Sequence, residues 1–270
     1  MNIKGKIKRL FKKGIQSGSQ DTVVIKRDSE SHLINFADSL KMHTPIFVYQ
    51  MGKVASSSIY SSVKRQYEGL VFHGHNFNNN TPDPLLQKLF THYEKEKFPI
   101  KIISLVREPI SRNLSAFFEN FTRDVGVDYG ASDYSAQELQ AIFLEKYNHD
   151  IPLVWFDKNF KTAFNIDVFE YQFPETNYLL VQKEQVSLLL MKHDLLDETK
   201  EEIIQEFIGL PNFILKNANV SEKKEYAEGY SEVKQLKLPK DYVDRMLSSK
   251  YAQHFYKNDI QKLKEKFSKA

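Results

Sequence analysis

Two short segments hold residue types able to do chemistry on an anion. The first, residues 48–58, reads VYQMGKVASSS and carries Gly52, Lys53, Ala55 and the run Ser56, Ser57, Ser58. The lysine is a point positive charge. Serines at the start of a helix add hydroxyl donors to the backbone N–H groups left free there. Gly52 permits a tight turn or a close approach of ligand to backbone. The second segment, residues 104–121, reads SLVREPISRNLSAFFENF. Arg107 offers a planar, two-pronged donor suited to a phosphate group. Ser111 and Ser115 are four apart and share a helix flank. Both segments therefore read as phosphate-binding. The nucleotide-loop pattern G-x-x-x-x-G-K-[ST] is absent, because Val54 follows Lys53 where a magnesium-binding hydroxyl would stand.

A proton acceptor is available nearby. Of the eight histidines, His73 and His75 sit together in LVFHGHNF, with Gly74 between them to let the chain turn. Histidine titrates close to neutral pH and suits general-base work. Glu108 and Glu119 are further candidates. His-x-His also suits a metal, but no third ligand follows, so no metal is expected. Residues 153–173 concentrate aromatic and polar groups. Trp155, the single tryptophan, offers a face to a sugar ring, and Asp157, Lys158 and Asp167 offer acceptors or donors to hydroxyls. Lys223 or Lys224 is placed to close over a ligand.

These residues need elements to position them. Residues 45–50, 70–73, 100–106 and 177–182 read as strands, the first and third as buried apolar runs. A helix is expected from the serine run to about residue 66, and another opening at Pro82 or Pro84. A third opens at Pro109, with Ile110, Leu114, Phe117, Phe118 and Phe121 on its apolar face. A helix is expected around 184–192, and residues 195–269 read as mostly helical. Alternating strands and helices predict an α/β fold: a parallel sheet flanked by helices, with its ligand site beyond the carboxyl ends of the strands.

Composition narrows the classes. With 270 residues and 41% hydrophobic content, the chain can build one sizeable domain. Residues 1–22 read as a basic tail and linker, and residues 23–270 as the domain. Residues 1–13 carry six of the 38 basic residues and no acid, which leaves 32 against 35 acids, a body of net −3. That body is not a nucleic-acid binder by charge. Ile3, Ile7, Leu10, Phe11 and Ile15 recur at helical spacing among the lysines, so residues 1–15 suit peripheral contact with an anionic membrane. The absence of cysteine excludes disulfides and thiol catalysis and fits a cytoplasmic location.

GKVASSS after one strand and VREPxxRxxSAF after a later one resemble the paired signature of the sulfotransferase superfamily, whose donor is 3′-phosphoadenylyl sulfate (PAPS). The likeness is closest to carbohydrate sulfotransferases, with P-K-V-A-C-T and V-R-E-P-F-x-R-x-x-S-A-[FY], and to bacterial capsular polysaccharide synthesis proteins. It is confined to residues 48–58 and 104–121. It implies a P-loop-like sheet and sulfuryl transfer to a carbohydrate hydroxyl. It also implies that Lys53, Ser56, Ser57 and Ser58 hold the 5′-phosphosulfate, and that Arg107 and Ser115 hold the 3′-phosphate. Met51 and Gly52 depart from the family's x-Pro, and Ser56 and Ser57 from its Cys–Thr or Ser–Thr. Heparan sulfate 2-O-sulfotransferases carry a catalytic histidine followed by asparagine, and by that resemblance His75, before Asn76, is favoured over His73. A nucleotide-dependent kinase and a non-catalytic capsule-assembly module are the alternative readings.

Overall fold

The computed structural model describes residues 22–27, 30–131, 133–216 and 225–268 of the 270-residue chain. The basic segment 1–15 and both Lys223 and Lys224 lie outside these residues. Strands β1 (Thr22–Arg27) and β2 (Glu30–Asn35) pair antiparallel as a separate two-stranded sheet. Helix α1 (Phe36–Met42) follows, capped by Asn35, whose side chain accepts the N–H of Ala37 at 2.9 Å.

The main sheet has five strands: β3 (Ile46–Tyr49), β4 (Val71–Gly74), β5 (Ile100–Val106), β6 (Tyr178–Lys183) and β7 (Val186–Lys192). Their order is β4–β3–β5–β7–β6. The first four in that order run parallel, and β6 is an antiparallel edge on β7. Two expectations are corrected here. The sheet is not wholly parallel, and where a helix was expected around 184–192 residues 186–192 form a strand. VSLLLMK is apolar on both faces and almost wholly buried, as a central strand must be when helices cover both sides of the sheet. Ile103 pairs with Leu189 on one side of β7, and Leu180 with Leu189 on the other.

Helix α2 (Ser56–Gln66) joins β3 to β4, and α3 (Pro84–Glu96) joins β4 to β5. Asp83 starts α3 by accepting the N–H of Leu86 at 2.8 Å, with Pro84 in the first turn. The chain thus leaves β3 toward one neighbour and returns past it to the other. That reversal opens a crevice at the carboxyl ends of β3 and β5.

Helix α4 (Pro109–Glu119) leaves β5 and is buried on nearly every side. Beyond it lie α5 (Phe121–Val125), α6 (Ala136–Lys146) and α7 (Ile151–Trp155). The last third adds α8 (Asp197–Ile208), α9 (Ala227–Gln235), α10 (Lys240–Leu247), α11 (Lys250–Phe255) and α12 (Ile260–Phe267). Helix α4 packs against α7, α9 and α10. The aromatic stretch after α7 mostly fills the core: Phe160 stacks on Tyr49 at 5.8 Å, and Phe164 on Phe77 at 5.3 Å. No helix among the described residues is long and apolar enough to cross a membrane.

Candidate active site at the carboxyl ends of β3 and β5

The loop after β3 holds two non-glycine residues in left-handed backbone, Lys53 at φ 70° and Ala55 at φ 66°. Each such residue costs on the order of 1–3 kcal/mol and persists only where its surroundings enforce it. Gly52 is not in that region. The tight turn expected of it is made by Lys53 and Ala55, and the place where a Gly52 Cβ would stand lies 3.6 Å from His75 Nε2. Met51 and Val54 anchor the loop in the core. Two arginines hold its carbonyls: Arg112 Nε donates to Gly52 O at 3.0 Å and Arg107 Nη1 to Lys53 O at 3.1 Å. Ala55 is the N-cap of α2 and supplies no side-chain capping bond. The first amides of an eleven-residue helix are therefore open to an anion.

Arg107 ends β5. Its backbone N–H donates to the Tyr251 hydroxyl at 3.2 Å, and that hydroxyl donates to the Arg107 carbonyl at 2.9 Å. Arg107 Nε is buried with no hydrogen-bond partner. An orphaned donor of this kind costs about 1–3 kcal/mol unless a ligand or water takes it. One turn into α4, Arg112 is buried and also donates through Nη1 to Tyr147 Oη at 2.8 Å and Asn113 Oδ1 at 3.0 Å.

The loop after β3 and the start of α4 face one cavity of about 630 Å³. Gly52, Lys53, Ala55, Ser56, Ser57, Arg107 and Ser115 line it, as do His73, His75, Glu119 and Trp155. Ser58, one residue farther along α2, does not. Lys53 Nζ lies 3.3 Å from Glu119 Oε2, and the same carboxylate accepts from Tyr226 Oη.

The two histidines have different surroundings. His73 Nε2 lies 3.0 Å from Ser56 Oγ and 3.4 Å from Gln50 Nε2, and its ring stacks on Tyr60. Burial, then the neighbouring His75, lowers its pKa to about 4. His75 Nδ1 lies 2.6 Å from the Gln50 carbonyl. A carbonyl only accepts, so Nδ1 carries the proton and Nε2 keeps its lone pair. His75 is exposed toward the crevice, yet partial desolvation of its ring lowers its pKa, opposed by the bond to Gln50 and assisted by the charge of Arg112. Its backbone is fixed as well, since Trp155 Nε1 donates to His75 O at 3.1 Å. Gly74 serves packing rather than turning: it closes β4 opposite Tyr49, and a Cβ there would meet Leu86 Cδ2 at 2.4 Å.

Expectations for four residues of this region are corrected. Glu108 is no free base: its carboxylate caps α4, accepting the N–H groups of Ile110 at 2.9 Å and Ser111 at 3.0 Å. Asp157 is exposed and does not line the crevice. Asp167 pairs with Lys161 at 2.8 Å, and it and the exposed Lys158 stand apart from the crevice. Of the aromatic stretch, Trp155 alone reaches the crevice, and it is 5% exposed. Arg112, Gln50, Asn76 and Tyr147 were not anticipated. Arg112 stands inside VREPxxRxxSAF and could have been found there.

A family model described as "Putative capsular polysaccharide synthesis protein" matches residues 133–257. That stretch takes in Trp155, Tyr251 and helices α6 to α11 and leaves the lysine loop and Arg107 outside. No curated protein and no solved structure matches the chain.

Proposed function

We propose that this protein is a sulfotransferase that moves a sulfuryl group from PAPS to a carbohydrate hydroxyl during capsular or other cell-surface polysaccharide synthesis. One observation carries the reading: the strained lysine loop and the Arg107–Ser115 pair, with Lys53 and Arg107 54 residues apart in sequence, face a single crevice. Its volume lies in the range of small-molecule sites. The uncapped start of α2 and the orphaned Arg107 Nε suit the two charged ends of a bisphosphorylated nucleoside. The matched family supports the polysaccharide context. In this reading the fold is the P-loop-like sheet of sulfotransferases.

The residues divide the chemistry as follows. The acceptor oxygen forms a bond to sulfur as the bond from sulfur to the bridging phosphate oxygen breaks. His75 Nε2 takes the acceptor proton, and the bond from Nδ1–H to Gln50 O steadies the imidazolium so formed. Lys53 turns from Glu119 to the leaving oxygen and offsets its charge, a role worth on the order of 3–4 kcal/mol in comparable sites. Ser57 and the first amides of α2 hold the 5′-phosphate, and Arg107 with Ser115 the 3′-phosphate. Ser56 is held through His73 and keeps the loop in place.

Thermal denaturation with added nucleotide tests the reading. Adenosine 3′,5′-bisphosphate at a hundredfold excess over its Kd should stabilise the protein by about 3 kcal/mol. ATP with magnesium should have no effect. The reverse pattern would make the protein a kinase, and silence toward both would make it a non-catalytic module.

A further inference from the structure

A second cavity of about 320 Å³ lies beside the crevice, across Arg107. It opens between the ends of β5 and β7 and helices α9 and α12. Arg107, Glu108, Ser111, His193, Tyr256 and Asp259 are among the residues that line it, with Lys234, Lys262 and Lys266.

Two of its buried polar atoms lack partners. Tyr256 is 2% exposed, and its hydroxyl makes no hydrogen bond within the described chain. His193 Nδ1 is likewise buried and unpaired. The nearest acid to His193, Asp194 Oδ1, stands 3.8 Å from Nδ1, beyond hydrogen-bond reach. Buried polar atoms are rarely left unpaired, and two on the wall of one cavity point to a ligand that supplies the missing partners.

The charge around the cavity fixes the kind of ligand. Of its three acids, Glu108 is spent on the N–H groups of Ile110 and Ser111. Asp259 is bound by Lys192 at 2.8 Å. Asp194 is exposed and stays as the one uncompensated acid. Against it stand the arginine and three lysines, and none of the three lysines is in an ion pair among the described residues. A hydroxyl, an imidazole and three ammonium groups suit an oxyanion with acceptors in several directions. We propose that this cavity is a second anion site, which takes a sulfate or phosphate group either as the free ion or carried on a sugar. It stands on residues that the proposed transfer reaction does not use, apart from Arg107 on the shared wall.

Calorimetric titration of the full chain at constant ionic strength tests this, with inorganic sulfate, inorganic phosphate and glucose 6-sulfate as probes. Four proteins are compared: wild type, Lys53→Ala, Tyr256→Phe and the double variant Lys234→Ala with Lys262→Ala. Tyr256→Phe removes only the hydroxyl and keeps the ring beneath Lys192. The double variant changes exposed side chains and leaves the core intact. We expect saturable binding of at least one probe, unaltered by Lys53→Ala. Binding should weaken about fivefold in Tyr256→Phe and about tenfold in the double variant. Tighter binding of glucose 6-sulfate than of sulfate identifies the carried group as the ligand, and equal binding identifies the ion. No binding of any probe, equal binding by all four proteins, or loss confined to Lys53→Ala would each overturn the proposal. Because the crevice lysine is varied separately, failure here and failure of the sulfotransferase reading give different results.

Discussion

Acidification should weaken this fold by an amount that follows from two half-buried rings. His73 is held at about 4 by burial and then by His75. His193 is held at about 4 by burial and then by the charge of Arg107. In the unfolded chain both titrate near 6.5. Between about pH 6.5 and 4 the unfolded chain therefore binds more protons than the folded one, and stability falls as the pH falls. Integration from neutral pH to about pH 5 gives a loss of about 2 kcal/mol for each ring. His75, His149 and His254 are lowered in the same direction and add to the loss. Against a usual total of about 5–15 kcal/mol, this is a large share. The assay is urea unfolding followed by circular dichroism at several pH values, on wild type and His73→Gln. Glutamine keeps a polar group beside Ser56 and does not titrate. The variant should lose about 2 kcal/mol less than wild type over the same pH interval, whatever its stability at neutral pH. A wild type with flat stability between about pH 7 and 5, or a variant with the full wild-type slope, would refute the reasoning.

Further outcomes are expected from the loop and its supports. Arg112→Met strips Gly52 O and Tyr147 Oη of their donor and should lower stability by about 3 kcal/mol in urea unfolding. Arg112→Lys should not recover it, because an ammonium cannot span partners set for a planar guanidinium. Ala55→Gly relieves a left-handed alanine and should raise stability by about 1 kcal/mol or leave it unchanged, with a marked loss counting against strain in the loop. Arg107→Ala should raise the KM for the sulfuryl donor far more than it lowers kcat. Lys53→Ala should lower kcat about a hundredfold or more, and a smaller change would move charge stabilisation to another group.

The outline of the sheet was legible where the chain is apolar without a break. IFVY and IKIISLV, rich in β-branched residues, read as buried strands, and the proline signals at Pro82 or Pro84 and at Pro109 marked helix starts, which fall at Pro84 and Pro109. Strand β7 was hidden for two reasons. VSLLLMK has no period that separates strand from helix. The hairpin before it turns through Glu184, at φ 50°, and Gln185, with neither glycine nor asparagine to announce the reversal. In the site, Lys53 and Arg107 stood out because each follows a strand. Arg112 was passed over although it stands in the same motif, because a buried arginine and a solvated one look alike in sequence. Trp155 and Asp157 were both read as acceptor-binding. Two positions along a helix turn a side chain to another face, so Trp155 lies against β3 while Asp157 meets solvent. The histidines could be located but not ranked by geometry, since the bond from His75 Nδ1 to Gln50 O depends on a contact between neighbouring strands.

Transfer of radiolabelled sulfuryl groups from PAPS to a panel of polysaccharides, run with wild type and His75→Ala side by side, bears most directly on the central claim. The account predicts label on at least one polysaccharide with wild type, and label lowered at least a hundredfold with His75→Ala while adenosine 3′,5′-bisphosphate still binds. Full transfer by His75→Ala, or no transfer by a wild-type protein that fails to bind the bisphosphate, would contradict it.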